Sequence, residues 1–452
     1  MAYRRSYNRN FGELGVDVAQ RWPERGVIGR KGKQNQTLGL ALSGGGYRSA
    51  IFNYGVLRGL RKLEVENQLK VLSQVDYLSV VSGGSWIGTA FATSQDLDHF
   101  FWDIATHANF IEEGFESLLV NPLRVAQELA LGRKDRNYVS NVYGRLVAGT
   151  FLRESGQDAR WMPLHHHKMI KDEDRPFLII NGTVNFRPPG SFHILQECFE
   201  MTRMYCGSRS LGYVHAKDLK DSGDTDKSIR VRDAIAISGA ALAVHIPSVG
   251  DEVAGIGLSR EVVNYTMDQS ERAASTADAE HLDIADGGHY NNLGIESLVN
   301  RGCGYIIVVD AEHDVERRDD QRSNQKYHGL RTLLRRHHIQ TPFATDTEEV
   351  IAKLDKVDEP VHVFSGDDKV PDILYIKLKS DSVFNEQAAK EPYNDPSFLG
   401  GLFGATDFHF DPQFSTAKLD YAFTEHRNLS RLGSFMVEQH QDTILGFIAD
   451  ST

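Results

Sequence analysis

The sequence predicts an α/β fold with a central, mainly parallel sheet flanked by helices. Leu38–Leu42 is an apolar run with no polar face, as expected of a strand covered on both sides. A glycine turn and an amphipathic helix follow it, and the same strand–turn–helix order returns at Val75–Val81. Further apolar runs at Pro176–Thr183, Tyr305–Val309 and Ile373–Leu378 read as strands of the same sheet.

In the first unit, Gly44-Gly45-Gly46 lets the backbone turn tightly and present bare N–H groups. The helix after it places Ile51, Tyr54, Leu57, Leu60 and Leu63 about one turn apart, widened by Phe52 and Val56 into a broad buried face. Its N-terminus adds partial positive charge beside the glycines, which suits an anion. In the second unit, Ser82-Gly83-Gly84-Ser85-Trp86 breaks the strand into a helix. A serine at a strand-to-helix turn, with glycine two places on, has the geometry of a nucleophile elbow. Ser82 fits better than Ser85, because it directly ends the apolar strand while Ser85 falls within the first helical turn. The pattern is incomplete, since Val80 stands where the elbow motif has its first glycine.

A third motif, Asp286-Gly287-Gly288, lies in LDIADGGHYNNLGIESL. Taken alone it would be an ordinary Asp-Gly turn. Together with SGGGYR and VSGGSW, in this order, it resembles the patatin-like phospholipases and the catalytic domains of cytosolic phospholipase A and phospholipase B. The resemblance runs from about Leu38 to about Gly433. Phe199-Glu200-Met201-Thr202 is similar to a segment of the phospholipase B branch, and FDPQFSTAKLDYAFTEHRNLSRLG resembles bacterial patatin-like proteins. The resemblance implies a three-layer patatin-like fold and a Ser–Asp dyad of Ser82 and Asp286 that needs no histidine. It implies an oxyanion hole of Gly45 and Gly46 N–H groups, helped by Gly83, and an Arg48 that meets the substrate phosphate.

The chemistry is consistent with that implication. A serine hydroxyl needs a base within hydrogen-bond reach, and a desolvated Asp286 can serve. His289 raises a rival Ser-His-Asp triad, but it follows Asp286 too closely to sit between it and the serine; His245 and His313 stay open. SGGGYRS lacks the Gly-Lys-Ser/Thr of a P-loop, and GGGYRSAIFNYG is not G-x-G-x-x-G, so oxyanion stabilisation is favoured over nucleotide binding.

A net charge of −12 disfavours nucleic acid and gives no global attraction to anionic membranes. Three unpatterned cysteines, Cys198, Cys206 and Cys303, argue against a disulfide framework or a zinc site and for a reducing compartment. The N-terminus has no apolar signal core, and no apolar run approaches the roughly 20 residues of a membrane span. A cytoplasmic protein, peripheral at the membrane, is expected.

Two regions are expected: a basic N-terminal arm over residues 1–36, and one catalytic domain over 37–452. The arm reads as solvated and packed across the domain, or as a membrane-surface contact. The domain carries a helical insertion at about 96–152, which covers the sheet or forms a lid. His165-His166-His167 reads as a polar loop, because consecutive histidines point in different directions. Asp218–Lys227 and Thr266–Glu280 read as polar loops, Ala234–Val244 as a small-residue helix and Thr345–Val370 as charged and turn-like. Arg317–His338 reads as a basic helix, solvated or in contact with phospholipid head groups.

The expected function is acyl-ester hydrolysis of a phospholipid or lysophospholipid at a membrane surface, with no metal or organic cofactor. A neutral-lipid esterase or acyltransferase would use the same site. A non-catalytic lipid-binding protein of this fold would bind without turnover.

Overall fold

Leu38–Leu42 forms strand β1 and is buried at every position. The structure, a computed structural model, describes residues 22–26, 37–65, 69–94, 96–103, 138–152, 161–166, 175–186, 195–208, 212–221, 224–240, 260–263, 281–313, 330, 359–366, 371–391, 410–414, 421 and 423–451. Past the glycine turn, α1 (Gly46–Lys62) buries almost every residue up to Leu60. It is enclosed on all sides, where its periodicity alone predicts one broad face. A small hairpin, β2 (Glu64–Val65) with β3 (Leu69–Lys70), leads to β4 (Tyr77–Val81) and then α2 (Gly83–Thr93), both fully buried.

Within the expected helical insertion, α3 (Leu97–Asp103) and α4 (Tyr138–Phe151) are described. Residues 104–137, including the PLRVAQELALG stretch, lie outside the described residues, as do residues 1–21, most of the basic stretch 317–338, and the loop 266–280. Next come β5 (Phe177–Phe186), β6 (Leu195–Met201), β7 (Tyr205–Ser208) and β8 (Gly212–His215).

The polar stretch 218–227 departs from its expected loop and supplies β9 (Lys220–Asp221) and most of β10 (Asp224–Ser228). The edge position of β10 explains its polarity, because an edge strand has only one paired flank; β9 lies inside it, between β10 and β11, and is only two residues long. The small-residue helix starts earlier than expected, as α5 (Val231–Ser238), and residues 241–244 of the expected stretch lie outside the described residues. Then follow β11 (Arg260–Val263), β12 (His281–Asp286), the short α6 (Gly288–Asn291), α7 (Ile295–Asn300) and β13 (Tyr305–Asp310). The turn-like stretch before position 370 contains a strand, β14 (Val361–Phe364), which pairs antiparallel with β15 (Asp372–Lys377). Helices α8 (Ser382–Ala388), α9 (Phe423–Gln439) and α10 (Gln441–Ser451) complete the described chain.

The strands form one sheet in the order β10-β9-β11-β12-β5-β4-β1-β13-β15-β14, with β6, β7 and β8 continuing from β5. Its centre, β5-β4-β1-β13-β15, is parallel throughout. Antiparallel strands extend both sides, through β12 on β5 and β14 on β15. Alternation assigns the two faces. Leu40, Leu42, Ile307 and Val309 join the core with α1, α2, α5 and α9, whereas Ala41, Ile306 and Val308 pack with Ile295 and Leu298 of α7. This is the three-layer arrangement expected. Among the described residues no helix is long and apolar enough to cross a membrane.

Candidate active site

The carboxyl ends of β1 and β4 bring the two glycine turns together. Ser82 follows β4 with φ 48° and ψ −125°, the only described non-glycine residue at positive φ. The strained elbow aims its Oγ across to the end of β12, where it donates to Asp286 Oδ2 at 3.0 Å. Both residues are buried, at 5% and 1% exposure. The other Asp286 oxygen, Oδ1, accepts the Gly288 N–H at 2.6 Å, which orients the carboxylate. Ser85 sits inside the first turn of α2, its Oγ donating to the Ser82 carbonyl at 2.6 Å.

The turns themselves touch. A Cβ on Gly83 would lie 1.9 Å from the Gly46 carbonyl oxygen, so only glycine fits there. Gly45, at φ 137°, and Gly46, at φ 64°, bend the chain into α1. The N-termini of α1 and α2 therefore converge at Gly46 and Gly83, beside Ser82. First-turn N–H groups have no intrahelical acceptor, and the helix dipoles add positive charge at the same point.

Arg48 is fully buried beneath the first turn. Its Nε and Nη2 donate to the Ala311 carbonyl at 3.1 and 2.8 Å, and its Nη1 donates to the Phe414 carbonyl. These bonds tie α1 to the segment after β13. Three of its five N–H groups are thus spent on these carbonyls. His289 is exposed on α6, one residue past the Gly288 that holds Asp286. His313 lies past the end of β13, and His245 is outside the described residues. His165 and His166 stand on a short 3-10 turn, and no described group of three or more His, Cys, Asp or Glu residues is placed to hold a metal.

Several residues that support the site escaped the sequence reading. Ser238, at the end of α5, accepts the Ser82 N–H at 2.9 Å and donates to the Asn181 carbonyl at 2.6 Å. Its backbone carbonyl also accepts from Gly287 N–H at 3.2 Å, so one serine braces both the Ser82 and the Asp286 turns. Asn292 accepts Gly44 N–H on its carbonyl at 2.8 Å and donates from Nδ2 to Glu312 at 2.9 Å. Glu312 N–H in turn donates to Asp310 Oδ1 at 2.8 Å, and Lys377 Nζ and the Tyr375 hydroxyl close on Asp310 Oδ2. The Asn pair in YNNLG and the Asp ending YIIVVD were visible signals, but not their partners. Tyr143 of α4 donates to the Gly239 carbonyl at 2.7 Å. Burial, and secondarily the Asp286 charge, push its phenol well above the usual tyrosine range.

The three cysteines are buried and form no disulfide, and burial pushes Cys206 up to about 12. Such thiols are inert packing groups.

Comparison with known proteins places this geometry. The patatin-like phospholipase family model matches residues 40–299, which span the glycine turn, the serine elbow and the Asp-Gly motif. Lysophospholipase 1 of Candida albicans is 22% identical over 335 residues, covering 62% of this chain and 54% of that protein. Probable lysophospholipase 2 of Schizosaccharomyces pombe is 26% identical over 180 residues, covering 36% of this chain and 27% of that protein. The chain thus spans about half or less of the length of these relatives, which are fungal rather than bacterial. Human GIVD cytosolic phospholipase A2 shares the fold with a TM-score of 0.64 at 15% identity, over 99% of this chain and 66% of that one. The same human protein in complex with methyl γ-linolenyl fluorophosphonate aligns with a TM-score of 0.57, again at 15% identity, over 99% of this chain and 62% of that one. With the family match covering more than half of its length, the chain belongs to the patatin-like phospholipase family.

Proposed function

We propose that this protein is a serine acyl hydrolase of phospholipids or lysophospholipids, working through a Ser82–Asp286 dyad. The observation that carries the reading is the strained Ser82 with its hydroxyl 3.0 Å from Asp286 Oδ2. Asp286 takes the proton as Ser82 Oγ attacks the acyl carbonyl. The N–H groups of Gly45, Gly46 and Gly83 receive the developing oxyanion, each such donor being worth about 3 kcal/mol of barrier. Asp286 then returns the proton to the leaving alcohol, and water, deprotonated by the same carboxylate, releases the fatty acid from Ser82.

The phospholipid substrate class is supported by the family and by the names of the fungal relatives. Arg48 enters this reading first as the residue that holds the turn. Exchange of its bond to Phe414 would free an N–H for a substrate phosphate. Arg48→Lys, which cannot reproduce the forked contacts, separates the roles: it lowers activity on all esters if it holds the turn, and on phosphate-bearing esters alone if it meets phosphate.

The test is labelling by an alkyl fluorophosphonate together with fatty-acid release from mixed phospholipid vesicles. Ser82→Ala should abolish both signals, Asp286→Asn should reduce both by at least a thousandfold, roughly the cost of a lost catalytic base, and Ser85→Ala should retain both. Near-normal hydrolysis by Asp286→Asn would discard the dyad in favour of a histidine triad. Lipid binding without labelling or turnover by folded wild type would identify a non-catalytic relative. A release profile dominated by neutral esters, or acyl transfer to an alcohol, would reassign the substrate and keep the site.

A further inference from the structure

A second charged cluster lies on α4 and α5, apart from Ser82. Trp161 is 51% exposed, among the most exposed large apolar side chains of the described residues. The inner face of its ring covers Arg232, with the guanidinium carbon 4.3 Å from the ring centroid, and Arg230 lies 6.0 Å from the same ring. Arg232 is only 3% exposed, and its Nη1 has no hydrogen-bond partner among the described residues. A buried guanidinium N–H without an acceptor is uncommon, because desolvation is then uncompensated.

The charges acting on Arg232 are two guanidiniums, of Arg230 and Arg145, and one carboxylate, of Asp233. Arg232 Nε donates to Asp233 Oδ1 at 3.3 Å, while Asp233 Oδ2 accepts the Arg230 backbone N–H at 3.0 Å. Arg145, exposed on α4, adds a third guanidinium. Burial lowers the Arg232 pKa, Asp233 opposes that, and Arg230 and Arg145 lower it further.

We propose that Arg145, Arg230 and Arg232, roofed by Trp161, form a binding site for the phosphate of an anionic phospholipid in a membrane surface. Guanidinium groups match phosphate geometry with forked N–H donors. The exposed indole identifies the source as lipid, since an amphipathic ring gains by entering the head-group layer while a free ion offers it nothing. Lifting of that ring into the bilayer uncovers Arg232 Nη1 for the phosphate oxygen. The site is coupled in space to the candidate active site. The helix α5 carries Arg232 near its start and Ser238, the partner of Ser82 N–H, at its end, about 9 Å apart along the axis. The proposal goes beyond the hydrolase reading and does not depend on turnover at Ser82.

Vesicles of non-hydrolysable diether phospholipids test it without interference from catalysis. Wild type should sediment with diether phosphatidylcholine vesicles doped with diether phosphatidic acid, and not with undoped ones. Arg145→Gln and Arg230→Gln should each weaken that binding about fivefold, the worth of one basic residue at an anionic surface. Lys390→Gln, an exposed residue carrying the same charge change elsewhere, should not. The Trp161 emission, taken as the difference between wild type and Trp161→Phe, should shift to the blue on the doped vesicles. Arg232→Gln is a further variant, used only if circular dichroism shows it folded. Equal binding by wild type, Arg145→Gln and Arg230→Gln would overturn the site. A Trp161 response to inorganic phosphate with no response to doped vesicles would overturn its assignment to lipid.

Discussion

Ser82 holds φ 48° and ψ −125°, a conformation that costs a non-glycine residue about 1–3 kcal/mol. The surroundings that enforce it are specific. Ser238 Oγ takes the Ser82 N–H, so Ser238→Ala leaves that buried donor unsatisfied. It should lose about 1–3 kcal/mol of stability, with kcat falling and KM little changed; denaturant melts and steady-state kinetics check this. Gly83→Ala is a steric test, because the new Cβ would meet the Gly46 carbonyl oxygen at 1.9 Å. Hydrolysis should fall by about a hundredfold or more, since the two turns must part and the proposed oxyanion donor of Gly83 moves with them. His426 carries a pH prediction. Burial pushes it down to about 4, so it stays neutral in the folded protein. The unfolded chain binds a proton near pH 6.5 and the folded one only near 4, so stability falls as pH drops through that window. At pH 5 the loss from this residue is about 2 kcal/mol relative to pH 7.5. His426→Phe should flatten that part of the profile in urea titrations.

At the scale of elements, three of the parallel strands of the centre end in something the site uses. Strand β1 delivers the glycine turn, β4 delivers Ser82, and β13 delivers Asp310, whose carboxylate orders the Ala311–Glu312 segment against Ser43, Arg48 and Asn292. The Lys377–Asp310 pair, 2.9 Å apart and fully buried, links β15 to β13 behind that segment. Lys377→Met would leave Asp310 charged and buried, and should destabilise by about 3–5 kcal/mol. The double variant Lys377→Met with Asp310→Leu should recover part of that, which a double-mutant cycle of chemical melts measures. The parallel strands were legible because burial on both faces writes an uninterrupted apolar run. Strands β10 and β14 were not, because edge strands with an exposed flank carry polar sequences that also suit loops, and β9, at two residues, is too short to write a pattern.

Over the whole molecule, one buried arginine joins distant parts of the chain. Arg301, after α7, pairs with Glu24 and Glu200 at 2.9 Å each and lies 4.1 Å from the Trp22 ring centroid. Burial opposes its charge, but Glu200, Tyr205 and Glu24 outweigh burial and hold it protonated. Trp22 itself is 2% exposed and donates to the Asn300 carbonyl at 3.1 Å. The described part of the basic N-terminal segment therefore packs into the domain at Trp22 and Glu24. Trp22→Ala should lower stability by about 3–5 kcal/mol while leaving fluorophosphonate labelling of the folded fraction intact. Thermal melts with and without the label check both halves of that expectation.

What this sequence determined by itself is local in origin: the apolar runs, the helix after each glycine turn, and the three motifs with their order. Those follow from side-chain periodicity and from backbone that only glycine tolerates, both confined to a few neighbouring residues. Ser82 was readable as the residue ending an apolar strand, and Asp286 as the one before two glycines. Only the tertiary structure decided that they meet, 204 positions apart. It also decided that Ser238, Asn292 and Asp310 stand behind them, and that Arg48 spends its donors on the carbonyls of Ala311 and Phe414. Hydrogen-bond partners and burial are set by how distant segments pack, and no short window of sequence contains that information.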